Sequence, residues 1–270
     1  MFAPRAFDSF QVTSDITCFP STIPVPGFGA LPVNSYLIEA DQPVLVDTGM
    51  PGFAPHLIDA LRKRLDPSQL AWIWLTHCDA DHLGALPQLL ALAPSARIVT
   101  NYLGMGKLSM RQELPPERFY LINPGQSLDV GDRKLTATTL PSYDAPETMG
   151  LFDAKSSAVF SSDCFGALLD EADAEHVQHT SAALDPVKLA RGLKLWTSVD
   201  APWLAAADAA TFHEQLNHLA ALRPRLVLSA HLPPAVDSLA WLAAQLDDAR
   251  RAPRFVGPDQ AMLEAMLHAA

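Results

Sequence analysis

Two rhythms of apolar positions alternate along this chain. Short, largely apolar runs at residues 33–38, 44–46, 72–75, 97–100, 158–160 and 225–229 have the length of buried strands. Further strands are predicted at 118–122 and 134–139, joined through Pro124-Gly125 and Gly131-Asp132, and residues 150–152 pair with 158–160 as a hairpin. Between these runs the spacing becomes helical. Leu57, Ile58, Leu61 and Leu65 share one face of a helix over 53–65, and a second helix over 83–92 stops near Pro94. Helices are also expected at 101–110, 184–204, 207–222, 235–249 and 262–267, with Leu189, Leu193 and Trp196 on one face of the first long one. Trp196 and Trp203 read as core. Residues 12–40, punctuated by Pro20, Pro24, Pro26, Gly27, Gly29 and Pro32, predict short strands with turns, a hairpin-rich entry to the first sheet. Residues 166–181 are polar and acidic, an exposed loop or a lid.

Hydrophobic residues make up 49% of the 270 and charged residues 18%, enough for a packed core and contrary to disorder. The net charge of −11 argues against a nucleic-acid partner, since the only basic run, Arg62-Lys63-Arg64, fits a solvated helix face. Cys18, Cys78 and Cys164 are odd in number and far apart, so no disulfide framework is expected and a reducing, cytoplasmic setting is the default. Residues 1–10 do not read as a secretory leader, and no apolar stretch is long enough to cross a bilayer.

One stretch carries chemistry. After the apolar run Trp72-Ile73-Trp74-Leu75 come Thr76-His77-Cys78-Asp79-Ala80-Asp81-His82, then Leu83-Gly84-Ala85-Leu86 at the start of a helix. Four ligand-capable side chains, His77, Asp79, Asp81 and His82, crowd a strand-to-helix loop, and a bound cation would offset their repulsion and desolvation. Asp79 adds a hard oxygen donor, which shifts preference toward iron or manganese without excluding zinc. His56 has no ligand-capable neighbour in sequence and reads as structural. His176 and His179 could share a helical face but read as an exposed pair rather than a metal site.

The loop His77-Cys78-Asp79-Ala80-Asp81-His82 resembles the signature of the metallo-β-lactamase superfamily, and Leu45-Val46-Asp47-Thr48-Gly49 resembles the strand-turn before it. The carboxylate at position 79 makes it most similar to the diiron domain of flavodiiron proteins. The likeness continues through Asp144-Ala145-Pro146-Glu147-Thr148-Met149, Ser161-Ser162-Asp163-Cys164-Phe165-Gly166 and Leu226-Val227-Leu228-Ser229-Ala230-His231, together spanning roughly residues 30–235. It implies an α/β fold, the four-layer αβ/βα sandwich, as a single domain over 1–270 with a C-terminal helical extension from about 235. It also implies that Asn34-Ser35-Tyr36-Leu37-Ile38 pairs with residues 44–46, and that the loop before it, with Phe28, lies near the site mouth or is an ordinary surface turn.

The resemblance further implies two metal ions, iron favoured and zinc or manganese possible. One ion falls to His77, Asp79 and Asp144, the other to Asp81, His82 and His231, with Asp163 bridging. Asp144 stands where relatives carry histidine, and Tyr143 and Glu147 are neighbours that could substitute for it. Cys164, a zinc ligand in other branches, is the rival of Asp163. Asp47 is either an acceptor that orients a ligand or a turn-forming residue, and Tyr143 is a second candidate for the shell around the ligands. Three readings follow: a diiron site reacting with or sensing dioxygen or nitric oxide; a hydrolase using a metal-bridging hydroxide on an ester, thioester, lactone or amide; and a binding protein whose metal site has decayed. Flavodiiron proteins carry a flavodoxin-like domain after the metal domain, and the roughly forty residues after His231 are too few for one, so no flavin is expected. Electrons would then come from a redox partner protein. A small-molecule ligand is implied, and a homodimer is plausible.

Overall fold

A computed structural model describes residues 3–268; the first two residues of the 1–10 leader reading lie outside it. The first sheet contains β1 (Arg5–Ala6), β2 (Phe10–Gln11), β3 (Ile16–Val25), β4 (Gly29–Ile38), β5 (Val44–Val46), β6 (Trp72–Trp74), β7 (Arg97–Thr100) and β8 (Phe119–Leu121), in the order β1-β3-β4-β5-β6-β7-β8 with β2 also on β3. The second contains β9 (Ser127–Asp129), β10 (Lys134–Thr138), β11 (Gly150–Asp153), β12 (Ala158–Phe160), β13 (Leu226–Leu228) and β14 (Ala235–Val236), adjacent in that order. β5 to β8 run parallel, as do β12 and β13; the remaining pairs are antiparallel.

Three apolar cores make four layers of these elements. The faces of the two sheets meet through Val44, Val46 and Trp74 on one side and Leu135, Leu151, Phe160 and Leu228 on the other. The outer face of the first sheet offers Leu45 and Ile73 to α1 (Ala54–Arg62), α2 (Leu86–Leu92) and α3 (Tyr102–Arg111). The outer face of the second offers Val159 and Val227 to α5 (Pro186–Asp200), α6 (Ala209–Ala221) and α7 (Leu239–Arg250); a short α4 (Glu171–Ala174) precedes them. The central strands are therefore buried on both faces, which is why they read as unbroken apolar runs rather than alternations. This is the αβ/βα sandwich.

The boundaries shift where tertiary packing outweighs local pattern. The proline-rich entry forms one long hairpin, because β3 and β4 pair over ten residues each with Pro20, Pro24 and Pro32 inside them. The helix expected from residue 83 begins at Leu86, residues 83–85 being a turn. The helix expected over 235–249 is wrong at its start: residues 235–236 form β14 on β13, and α7 begins at Leu239. Leu242 and Leu246 of α7 are buried in the core against α5, so the fold does not end at 235. The mostly exposed α8 (Gln260–His268) is the part that extends beyond it. Trp203 is 38% exposed, not core. His56, called structural, bonds the Phe7 carbonyl through Nε2 at 2.9 Å. Among the described residues no helix is long and apolar enough to cross a membrane.

One polar knot ties β10 into the fold. The Arg133 side chain is 3% exposed and bonds the fully buried Asp153 at 3.0 Å, Asp15 at 2.6 Å and Asp132 at 2.8 Å. The guanidinium holds the Asp132 carboxyl well below the usual carboxylate range, aided by Lys155. Asp15 is also lowered: its partial burial acts upward, but Thr13 and Arg133 outweigh it. Removing Arg133 leaves the buried Asp153 carboxylate without its counter-charge, and Arg133→Met should cost about 3 kcal/mol in denaturant unfolding. Carboxylates with depressed folded-state pKa values stabilise above their unfolded value of about 4 and lose that contribution as pH falls through the folded values. Wild type should therefore lose stability below about pH 4, and Arg133→Met should show a shallower acid slope.

Candidate metal centre

All seven expected ligands emerge at one end of the sandwich, beyond the carboxyl ends of β6, β12 and β13 and, for Asp144, of β10. The loop after β6 is clamped to the strand-turn after β5. Thr48 donates to the His82 carbonyl from both N and Oγ1, at 2.8 and 2.9 Å, and Gly84 N donates to the Gly49 carbonyl at 2.7 Å. Gly84 is required there, since a Cβ would stand 2.1 Å from the Met50 carbonyl carbon and 2.3 Å from the Gly49 oxygen. The loop after β13 is pinned from β4: Asn34 Nδ2 donates to the carbonyls of Ser229 and Leu232, and Tyr36 OH donates to Ser229. The Asn-Ser-Tyr pattern thus positions His231. Asp47 and Ser162, both beside the site, have φ of +56° and +51°, a strained backbone for non-glycine residues that these loop contacts hold in place.

Each histidine is fixed by its Nδ1. His231 Nδ1 lies 2.7 Å from the Pro32 carbonyl, which can only accept, so Nδ1 carries the proton. His82 Nδ1 lies 3.0 Å from Asp47 Oδ2. His77 Nδ1 lies 3.1 Å from Ser162 Oγ, which itself donates to Thr76 Oγ1, and Thr76 donates onward to Asp47. Asp47 also accepts from Thr76 N at 2.8 Å, so it serves as the orienting acceptor rather than as a simple turn former. These partners aim all three Nε2 lone pairs inward.

They converge on Asp163. His82 Nε2 and His231 Nε2 lie 3.1 and 3.2 Å from its Oδ1, and His77 Nε2 lies 3.5 Å from its Oδ2. Asp81 is 3.6 Å from His82 and 3.4 Å from His231, and Asp144 is 3.9 Å from His77. Ligand atoms fall into overlapping triads, each within 4.8 Å: His77 with Asp79 and Asp144, Asp81 with His82 and His231, and His77 with His82 and Asp163. His77 Nε2, His82 Nε2 and Asp163 Oδ1 are buried and have no well-formed hydrogen bond. Orphaned polar atoms are rare in buried positions and costly, and a shared cation would satisfy all three. The residues therefore fit a metal.

The electrostatics point the same way. Burial would lower the His231 imidazole, but the Asp163 carboxylate against it lifts it to about 9, with Asp81 adding. His82 rises well above its ordinary value, since Asp47 and Asp163 outweigh its burial. Burial would raise Asp163, yet the three surrounding imidazoles hold it well below the usual carboxylate range. The cage is thus built around positive charge, which protons or metal ions can supply.

The neighbours sort themselves out. Cys164 is buried in the core under α5, its thiol pushed up to about 12 by burial, while Asp163 faces the cage. Cys78 is equally buried and faces the Gly104 carbonyl, also at about 12 through burial. Glu147 is buried and held by Lys107 at 2.7 Å, away from the triads. Tyr143 turns to Trp203, with ring centroids 4.7 Å apart and Trp203 Nε1 donating to the Tyr143 carbonyl, and makes no hydrogen bond to a candidate ligand. Trp196 donates to the Asp163 carbonyl and its ring lies 4.7 Å from that of His231 at a 58° tilt, so it packs on the site instead of the core interior. His176 and His179 are exposed, their rings 6.2 Å apart. Phe28 packs on Phe255.

Sequence reasoning missed two contributors, Ser162 and Asp200. The first anchors His77. Asp200, the last residue of α5, lies with Asp144 and Asp163 in a fourth triad, and burial together with those two carboxylates pushes it up to about 8. Nothing in the helical pattern of residues 184–204 marks it, because it reads as one more polar helix position.

Residues 28–140 match the family model of the metallo-beta-lactamase superfamily. Over 134 residues, 49% of the chain, the sequence is 30% identical to the anaerobic nitric oxide reductase flavorubredoxin of Pectobacterium atrosepticum, and the match covers 26% of that protein. The fold is similar to that of the rubredoxin oxygen:oxidoreductase of Desulfovibrio gigas, with a TM-score of 0.79 and 18% identity over 91% of this chain and 62% of that one. It is also similar to the Flv1 flavodiiron core of Synechocystis sp. PCC6803, with a TM-score of 0.73 and 24% identity over 92% and 61% of the two chains. The chain thus spans only part of the relatives it matches. Residues 28–140 are similar to the metallo-β-lactamase superfamily, and the fold is that of flavodiiron cores.

Proposed function

We propose that this chain holds two iron ions and reacts with, or senses, dioxygen or nitric oxide. One ion is assigned to His77, Asp79 and Asp144 and the other to Asp81, His82 and His231, with Asp163 shared. The observation that carries this reading is the buried, unpartnered Oδ1 of Asp163 faced by imidazoles whose Nδ1 atoms are already committed. The abundance of carboxylates favours iron or manganese over zinc. The likeness to an anaerobic nitric oxide reductase and an oxygen oxidoreductase supports a redox role.

When bound, a ferrous pair supplies electrons to a small oxidant. The chain's own part is placement and charge. Ser162, Asp47 and the Pro32 carbonyl hold the imidazoles in the tautomer that presents Nε2. Asp163 would give both ions a common anionic ligand, and three further ligands apiece would leave room for a small molecule, as reactive sites require. Trp196 and the buried walls of β12 and β13 limit water on one side. Sustained turnover on this reading draws electrons from a redox partner protein.

Protein purified anaerobically without added metal should contain close to two irons per chain and gain a visible absorption band on exposure to air or nitric oxide. Two zinc ions and no spectral change would move the assignment to hydrolysis of an ester, thioester, lactone or amide on the same residues. Substoichiometric metal of every kind would sink both and leave a decayed site.

His77→Ala or His231→Ala should lower metal content outright. Asp47→Asn should weaken binding by roughly 10- to 100-fold, because it loosens His82 without removing a ligand. Cys78→Ser should retain wild-type metal content, and loss of metal there would overturn the ligand assignment. Elemental analysis after dialysis reads all of these.

A further inference from the structure

We propose that Asp200 is an additional metal ligand, supplied by α5, that joins Asp144 in place of the imidazole this chain lacks at the first ion. The inference rests on the dinuclear reading above. Its starting point is that triad of carboxylates: oxygens of Asp144, Asp163 and Asp200 all lie within 4.8 Å of one another. Among the described residues, Asp200 makes no hydrogen bond through its side chain and no ion pair with a basic residue, whereas Asp185 and Asp208, the other aspartates bordering α5 and α6, cap backbone amides. It also closes the fifteen-residue α5, where the helix dipole presents its negative end and disfavours an anion. Three carboxylates meeting at a helix C-terminus repel one another, and a cation between them would relieve that repulsion.

A second, independent observation points into the same space. His77 is 1% exposed, and its Nε2, 3.9 Å from Asp144 and 3.5 Å from Asp163, has no hydrogen-bond partner. Asp144 in turn belongs both to the Asp200 triad and to the triad with His77 and Asp79. The two clusters are therefore continuous, with Asp144 joining Asp200 to the first ion's ligands.

The consequence is a first subsite with one imidazole and several carboxylate oxygens, a hard donor set suited to iron or manganese. Asp79, Asp81, Asp144, Asp163 and Asp200 against two divalent ions leave one negative charge over, which favours a trivalent state for one of them. A departure that looks like a lost ligand at position 144 becomes an exchange of donor type.

Anaerobic equilibrium dialysis of metal-free protein against ferrous iron, followed by elemental analysis, tests this in wild type, the isosteric Asp200→Asn, Asp144→Asn and the exposed control Asp8→Asn. Wild type and Asp8→Asn should take up two irons. Asp200→Asn and Asp144→Asn should each keep one ion at wild-type affinity and bind the other about tenfold more weakly or worse, with thermal unfolding of the metal-free forms confirming a folded chain. Asp200→Asn that binds both irons with wild-type affinity overturns the assignment while leaving the dinuclear reading intact. Wild type that takes up no iron overturns both.

Discussion

The organising constraint of this molecule is a buried carboxylate. Asp163 sits at the exit of one sheet, is touched by imidazoles delivered from both, and keeps an oxygen without a hydrogen-bond partner. An isolated charge in such a place would neutralise itself or open the fold to water. Here the facing imidazoles let protons or metal ions supply the compensating positive charge, and that requirement explains why so much of the surrounding polypeptide is committed to fixing three rings.

The commitment reaches far from the cage. β4 lies in the first sheet, yet Asn34 and Tyr36 hold the loop that carries His231 from the second, and Pro32 of the same strand accepts from His231 Nδ1. Ser162, next to Asp163, reaches back to His77 and Thr76 in the first sheet. The two halves of the sandwich are thus joined by polar contacts as well as by the apolar layer containing Trp74 and Phe160. Opening one sheet from the other would undo ligand orientation and core packing together. Positive φ angles at Asp47 and Ser162 persist because both neighbouring loops hold them.

The donor set distinguishes this site from an imidazole-dominated one. Carboxylates at 79 and 144, joined by the close approach of Asp200, make one side of the centre strongly anionic, while His82 and His231 keep the other side mixed. On the dinuclear reading such asymmetry would separate the two ions chemically, the oxygen-rich side favouring the more highly charged ion and the imidazole side the lower oxidation state. The Arg133 knot stands apart from these residues, tying the start of β10 to Asp153 and to Asp15 before β3.

The sequence by itself determined a great deal here. Strands buried on both faces are legible as apolar runs because burial on two faces removes the alternation, so 44–46, 72–75, 158–160 and 225–229 could be read directly. The crowded His77-to-His82 loop was legible because ligand-capable residues that close in sequence must be close in space. What only the tertiary structure decided is everything that depends on distant segments meeting. Asp200 looks like an ordinary helix residue until α5 ends against Asp144 and Asp163. Trp196 and Trp203 share the composition of core residues, yet one packs on His231 and the other on Tyr143 at the surface. β14 is too short to have a period, and its strand pairing with β13 outweighed the helical propensity of the residues that follow. The choice between Asp163 and Cys164 likewise rested on which side of a tight turn faced the cage, a matter of backbone geometry that adjacent letters in a sequence do not encode.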